Sequence, residues 1–211
     1  MDFSSALASV VLVLRHCLRL ATSPYGTMRE LSRKHDLLET AYIFVLVGIY
    51  YIWSAYIRFG PGHGIIPLGE ATRSFVVFLV SFSLVVGITY VLGLLLSAMR
   101  KARQGEISTL IYLSSYALLP TFIWFMVTSV LYIFFPPPRY FTSLGIVFSF
   151  LFLAFSLSMF LWKLTLWYLT IRFALQARFI TIVGIMLICG LILLPYIIMA
   201  YNLGLSRVPY L

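Results

Sequence analysis

The chain has 211 residues, of which 62% are hydrophobic and 10% are charged, and it carries a net charge of +9. Soluble domains are about 45–50% apolar and about 25% charged, so this composition excludes an ordinary soluble enzyme. The basic residues adjoin long apolar stretches, where Lys and Arg mark the cytoplasmic side of a membrane and contact anionic lipid; we therefore expect no nucleic-acid partner.

Residues 1–39 are predicted to form a cytoplasmic, amphipathic N-terminal segment. Apolar side chains recur three and four positions apart, at Phe3, Ala6, Leu7, Val10, Val11, Leu14 and Leu18. Polar and basic side chains fall mostly elsewhere on the helical wheel, at Ser5, Ser9, Arg15, His16 and Arg19. This pattern is typical of a helix that lies in the membrane interface, and it equally suits a helix packed against other helices of the chain.

A cluster of helix breakers at residues 22–26 ends this helix, and a short polar helix is predicted to follow. In this second segment His35 and Glu39 are one helical turn apart. Two ligands are too few for a typical zinc site, so we expect no metal there and interpret the pair as part of a solvated helix face.

Five stretches then contain no Asp, Glu, Lys, Arg or His: residues 40–57, 74–99, 107–138, 140–162 and 179–206. A membrane-spanning helix needs about 20 predominantly apolar residues. The predicted fold is therefore all-α, a polytopic membrane helix bundle with five transmembrane helices and an N-terminal amphipathic or interfacial helix. The five-span membrane domain covers 40–202, with spans at about 40–58, 74–98, 109–134, 142–162 and 179–202, and residues 203–211 form a short external tail.

The distribution of Lys and Arg predicts the orientation of these spans. Eleven basic residues lie before the first span and in the second and fourth connections, against four in the other connections and the tail. The positive-inside rule then predicts a cytoplasmic N-terminus and an external C-terminus. The short connections favour a prokaryotic plasma membrane.

The most concentrated polar group within a span is Ser114, Ser115 and Tyr116, four to six residues before Pro120. Proline removes a backbone hydrogen bond and usually kinks a helix, and nearby hydroxyls can satisfy the freed carbonyl. These four residues are our candidate intramembrane site. A second feature, the pair Ser83 and Gly87, has the spacing that lets another helix approach closely.

The predicted spans contain no ionisable residue, and such residues mark proton relays and ion paths in membrane proteins. The sequence also lacks the paired aspartates of an intramembrane protease and the His-Glu-x-x-His signature of a metalloprotease. We therefore expect a non-enzymatic protein with no cofactor and no bound metal.

Three further stretches are distinctive: residues 112–120 with their tyrosines and proline, residues 160–175 with a tryptophan before an apolar and basic segment, and residues 23–31 before the first span. Together they resemble the Yip family of Rab-interacting five-span membrane proteins. The chain lacks the long N-terminal region of eukaryotic members and has Ser115 before Tyr116 in place of their glycine. It resembles a prokaryotic-type member, which implies a scaffold or membrane-organising role.

The first hypothesis is therefore a Yip-type adaptor that binds lipid or protein partners, or further copies of itself, through a cytoplasmic basic face. The candidate binding residues on this face are Arg29, Arg33, Lys34, Arg100, Lys101, Arg103 and Arg172. The alternative is a membrane subunit of a transporter or channel, with hydroxyl-lined gaps between protomers as the path.

Overall fold

The computed structural model describes residues 3–34, 36–59, 68–98, 106–134 and 143–202. All regular elements in these ranges are helices, which confirms the predicted all-α membrane bundle with an additional N-terminal helix. In chain order the helices are α1 (Phe3–Thr22), α2 (Pro24–Leu31), α3 (Leu37–Phe59), α4 (Leu68–Ala98), α5 (Ile107–Tyr116), α6 (Leu119–Phe134), α7 (Ser143–Ala174) and α8 (Phe179–Asn202).

Five segments are long and apolar enough to cross a membrane: Leu37–Ile57, Leu68–Leu96, Ile107–Leu131, Gly145–Ala174 and Phe179–Ala200. The third of these combines α5 and α6. The chain is therefore an integral, multi-pass membrane protein.

The spans form a closed ring of neighbours. Helix α3 contacts α4, α4 contacts α8, α8 contacts α7, and α7 contacts α5 and α6, which return to α3. The two N-terminal helices lie outside this ring at one end, where α1 packs on α2 and α3 and α2 packs on α7.

The first span begins earlier than the charge pattern indicates. The backbone N–H of Leu38 donates to Oδ1 of Asp36 at 2.8 Å, so Asp36 caps the start of α3. The helix consequently begins at Leu37, and Glu39 becomes the third residue of a membrane-spanning helix. An ionised carboxylate is favoured in the first helical turn, where the backbone N–H groups point toward it.

The third span is interrupted next to Pro120, the residue at which a kink is predicted. Helix α5 ends at Tyr116, Ala117 and Leu118 form a turn, and Pro120 is the second residue of α6. At the break the N–H of Leu118 donates to Ser115 O at 3.2 Å, a tighter bond than the usual i→i−4 pattern. Proline fits the first turn of a helix because its missing N–H has no intrahelical partner there.

Helix α7 is continuous over 32 residues, so the segment after the fourth predicted span is a helical extension of it. At 1.5 Å per residue, α7 is about 48 Å long, which exceeds the roughly 30 Å thickness of the hydrocarbon core. It ends where Gln176 adopts a left-handed backbone conformation with φ of 49°.

The buried core is concentrated at the end of the bundle that carries α1 and α2. One cluster joins Leu20, Met28 and Leu31 of those helices to Leu110, Leu113 and Leu166. By contrast, no residue between 145 and 165 of α7 is buried. Helix α7 thus exposes apolar faces along this stretch, whereas α3 and α6 still bury Tyr50 and Phe125 as a stacked pair beyond the core cluster.

The tight helix approach at α4 lies at Gly93 and not at the predicted Ser83–Gly87 pair. A Cβ added at Gly87 would have no described atom within 4 Å, whereas one at Gly93 would lie 2.5 Å from Cδ1 of Leu175. Leu175 is buried in a second core cluster with Ile182 and Ile185. Gly93 therefore permits the close packing of α4 against the end of α7.

We expect Gly93→Val to lower the thermal midpoint of the detergent-solubilised protein by several degrees, because overpacking a core costs about 1–3 kcal/mol. Gly87→Val is the matched control, since it makes the same change in the same helix with open space around it. Equal midpoints for the two variants would contradict the close approach at Gly93.

Candidate functional site

A buried polar cluster forms around Glu39 where α1, α3 and α5 meet. Glu39 is 3% exposed. Its Oε2 atom accepts a hydrogen bond from the Tyr112 hydroxyl at 2.6 Å and another from the Tyr116 hydroxyl at 2.5 Å. Both phenols are almost completely buried. Glu39 was predicted to belong to a solvated helix face; this is wrong, because the earlier start of α3 turns its side chain into the bundle.

The N-terminal helix completes this cluster through His16, which is 3% exposed. Its Nδ1 atom lies 3.5 Å from Oε2 of Glu39 and 3.3 Å from the Tyr116 hydroxyl oxygen. The imidazole also meets the Tyr116 ring edge-on, with ring centroids 5.9 Å apart. Three elements distant in sequence therefore converge on one carboxylate oxygen.

Two phenol O–H groups donate to one oxygen of Glu39, so the buried carboxyl group is supplied with hydrogen-bond donors. Hydrogen bonds to charged groups are shorter and about twice as strong as neutral ones. Buried charge is costly unless it is paired and hydrogen-bonded, so the cluster ties α1, α3 and α5 into one arrangement.

Cys17 lies next to this cluster, partly buried against the adjacent core. Burial raises the pKa of its thiol to about 11, and the charge of Glu39 acts in the same direction. Since the thiolate is the nucleophile, Cys17 is poorly reactive at neutral pH.

The predicted kink residues divide between different roles. Tyr116 belongs to the Glu39 cluster. Ser115 is buried, but its hydroxyl donates to the Tyr112 carbonyl at 2.7 Å, within α5. Ser114 is half-buried and Pro120 is buried at the start of α6. The predicted grouping of four thus contributes one side chain, Tyr116, to the polar cluster.

Sequence reasoning missed Glu39, Tyr112 and His16 as partners. A signal did exist, because Tyr112 and Tyr116 are four residues apart and so share a helix face. The charge-free stretch begins at Thr40, so Glu39 lies one residue outside the predicted span.

A second candidate site is the basic surface at the same end of the bundle. Arg29, Arg33, Lys34 and Arg172 are all exposed. Helix α2 packs on α7, where the Tyr25 ring meets Phe173 edge-on and the Arg172 guanidinium lies over Tyr25 at 5.5 Å from its centroid. Four of the seven predicted binding residues are therefore at one end, and we call these four the basic surface. Arg100, Lys101 and Arg103 lie outside the described residues.

Glu30 of α2 forms two solvent-exposed salt bridges beside the basic surface. Glu30 contacts Arg19 of α1 at 2.8 Å and Lys34 at 3.5 Å. The hydrogen bond and charge of Arg19 lower the pKa of the Glu30 carboxyl below its ordinary value. Glu30 thus offsets part of the positive charge, while Arg29, Arg33 and Arg172 remain exposed.

Within the described residues, no group of three or more His, Cys, Asp and Glu side chains is close enough to hold a metal ion. His35, which was considered with Glu39, lies outside those residues. No family model, curated protein or solved structure gives a match to this chain.

We expect Glu39→Gln to lower the free energy of unfolding by about 2–4 kcal/mol, because each hydrogen bond to a charged group contributes about 1.5–3 kcal/mol. The measurement is the thermal or denaturant midpoint in detergent. Glu70→Gln is the matched control, since Glu70 is also the third residue of its helix but is exposed. Equal losses in both variants would contradict the role of the cluster.

Proposed function

We propose that this integral membrane protein is a non-enzymatic scaffold or adaptor of the Yip type. One end of its bundle binds acidic partners, which are anionic lipid headgroups or an acidic segment of a partner protein. The Yip assignment is supported by the stretches at residues 23–31, 112–120 and 160–175, and the choice of binding end is supported by the structure of the basic surface.

The observation that carries this proposal is the packing of α2 against the C-terminal end of α7. This contact gathers exposed arginines that are more than 130 positions apart in sequence, Arg29 and Arg172, at one end. Arginine presents a planar fork of donors that matches phosphate and carboxylate groups. The basic surface therefore has the chemistry to hold a phospholipid headgroup or an acidic side chain.

In this proposal the basic surface faces the cytoplasm, with the N-terminus inside and the C-terminus outside. The excess of Lys and Arg before the first span supports that orientation. A prokaryotic plasma membrane, rich in anionic lipid, supplies the matching charge. Exposed apolar faces along α7 leave room for lipid or for a second copy of the chain.

We expect the triple variant Arg29→Gln, Arg33→Gln, Arg172→Gln to lose affinity for phosphatidylglycerol by about a hundredfold. Each basic residue near an anionic surface contributes about 1 kcal/mol, and 1.4 kcal/mol corresponds to a tenfold change. Native mass spectrometry of the detergent-solubilised protein, titrated with phosphatidylglycerol or phosphatidylcholine, measures the preference directly.

Arg73→Gln is the control for this experiment, because Arg73 is exposed near the start of α4, at the opposite end of the bundle. Its phosphatidylglycerol preference should equal that of the parent chain. Covalent crosslinking in native membranes, followed by affinity capture, tests with the same variants whether the basic surface binds a partner protein. A parent chain that shows neither lipid preference nor a partner sensitive to the triple variant would overturn the proposal.

A second function, a membrane subunit of a transporter or channel, is favoured by one observation. Glu39 is an ionisable residue buried within a candidate span, and such residues are typical of ion and proton paths. Liposomes with purified protein and a trapped pH-sensitive dye would report flux. Flux in the parent that is abolished by Glu39→Gln and kept by Glu70→Gln would favour the subunit over the scaffold.

A further inference from the structure

Helix α1 presents its apolar side outward, away from the rest of the chain. Over residues 9–22, where the side chains of α1 are described, those buried against the bundle are Ser9, Val13, His16 and Leu20, spaced four, three and four apart. Two of these four are polar. The apolar stripe lies on the opposite side, where Val11 is 59%, Leu14 56% and Leu18 72% exposed.

A helix that packs on a protein surface in water normally turns its apolar face toward the protein. Helix α1 instead exposes an apolar stripe on the side away from the bundle. Burying a Val or Leu side chain fully contributes about 1.5–3 kcal/mol, so water on the outer face would favour rotating Leu14 and Leu18 inward. An apolar medium outside α1 removes that penalty. The sequence is compatible with two environments for α1, the membrane interface and the helix bundle. In the structure one face of α1 packs on the bundle and the opposite face is exposed and apolar.

The depth of α1 follows from its contact with the first span. His16 meets Glu39, the third residue of α3, so α1 lies beside the point where α3 begins. The next turns of α3 expose Val45, Leu46 and Ile49, a surface that faces lipid in a membrane-spanning helix. Because His16 contacts the first turn of α3, we infer that the outer stripe of α1 lies at the end of the first span, where headgroups meet acyl chains.

The charges of α1 fit the same environment. Arg15 is exposed next to Leu14, and Arg19 is next to Leu18 and paired with Glu30. An interfacial helix inserts its apolar face about 5–10 Å into the headgroup–acyl boundary and places its basic residues at the level of the lipid headgroups.

The inner face of α1 contacts the break in the third span. His16 contacts Tyr116, the last residue of α5, and the turn at Ala117 and Leu118 follows directly. The same Tyr116 hydroxyl donates to Glu39. A shift of α1 therefore reaches the α5–α6 junction through one side-chain contact.

We propose that α1 is a bilayer-sensing arm. Its outer stripe, Val11, Leu14 and Leu18, binds the lipid interface, and its His16 transmits the position of the arm to the kink between α5 and α6. This inference is independent of the basic surface, because it involves a different face and a different helix.

The first experiment measures the depth of the outer stripe. A fluorophore is placed at Leu14→Cys in a Cys17→Ser, Cys189→Ala background, and the protein is reconstituted in vesicles that contain lipids brominated at defined acyl positions. We expect strong quenching by shallow acyl bromines and weak quenching by aqueous iodide. The same label at Arg29→Cys, on the basic surface, should show the reverse, and iodide quenching of Leu14→Cys equal to that of Arg29→Cys would overturn the proposal.

The second experiment measures transmission to the kink. Spin labels at Ile107→Cys and Ile133→Cys, both exposed and at opposite ends of the broken span, report its bend by their separation. At 1.5 Å per residue these positions are about 39 Å apart along the helices, within the range of pulsed dipolar spectroscopy. The same cysteine-free background and two vesicle types, with loosely and tightly packed headgroups, are used.

We expect the separation to differ by a few ångström between the two vesicle types in the parent chain. His16→Ala should remove that difference by breaking the inner contact. Leu14→Ser with Leu18→Ser should also remove it, by weakening lipid binding while leaving the packed side chains unchanged. Identical separations in the parent, or an unchanged difference in both variants, would overturn the proposal.

Discussion

The placement of one carboxylate in an apolar bundle constrains the rest of this structure. Glu39 enters the membrane domain because Asp36 caps α3 four residues before the charge-free stretch begins. Once buried, the carboxylate requires donors, since an uncompensated charge in a low-dielectric interior is very costly. Tyr112 and Tyr116 supply two donors from α5, and His16 brings α1 to the same oxygen. The order of helices at this end follows from that requirement.

Packing around Glu39 differs from packing along the middle of α7. Around Glu39 the chain builds a continuous core that includes Leu20, Met28, Leu110 and Leu166, so α1 and α2 become part of the packed protein. Toward the other end, helix α7 buries nothing between residues 145 and 165. In lipid no hydrophobic force drives apolar helices together, because acyl chains are as apolar as leucine. Around Glu39, specific packing therefore develops where polar side chains of three helices meet.

How far the sequence predicts this structure depends on the distance over which each signal acts. Absent charge is a local property of about 20 residues, and it correctly predicts an all-α bundle of five spans. The break near Pro120 is also local, because proline changes only its own helix. The polar cluster depends on pairs separated by 73, 77 and 100 residues, Glu39 with Tyr112, Glu39 with Tyr116 and His16 with Tyr116. A single sequence contains no record of such pairs, and for this reason Ser114 and Ser115 were grouped with Tyr116 while its true partners were missed.

The orientation of α1 shows why periodicity alone could not decide its environment. The apolar stripe correctly predicts a helix. It indicates only that an apolar medium covers one face, and does not say whether that medium is lipid or protein. In a soluble protein that medium is the core, and the polar face meets water. Here His16 faces the bundle, where the Glu39 carboxylate and the Tyr116 phenol are within reach of its imidazole, and Leu14 and Leu18 face outward. Polar attraction to Glu39 and apolar attraction to lipid therefore act on opposite sides of α1 and select the same rotation. A helix held in this way responds to changes on either side, since neither contact alone determines its position.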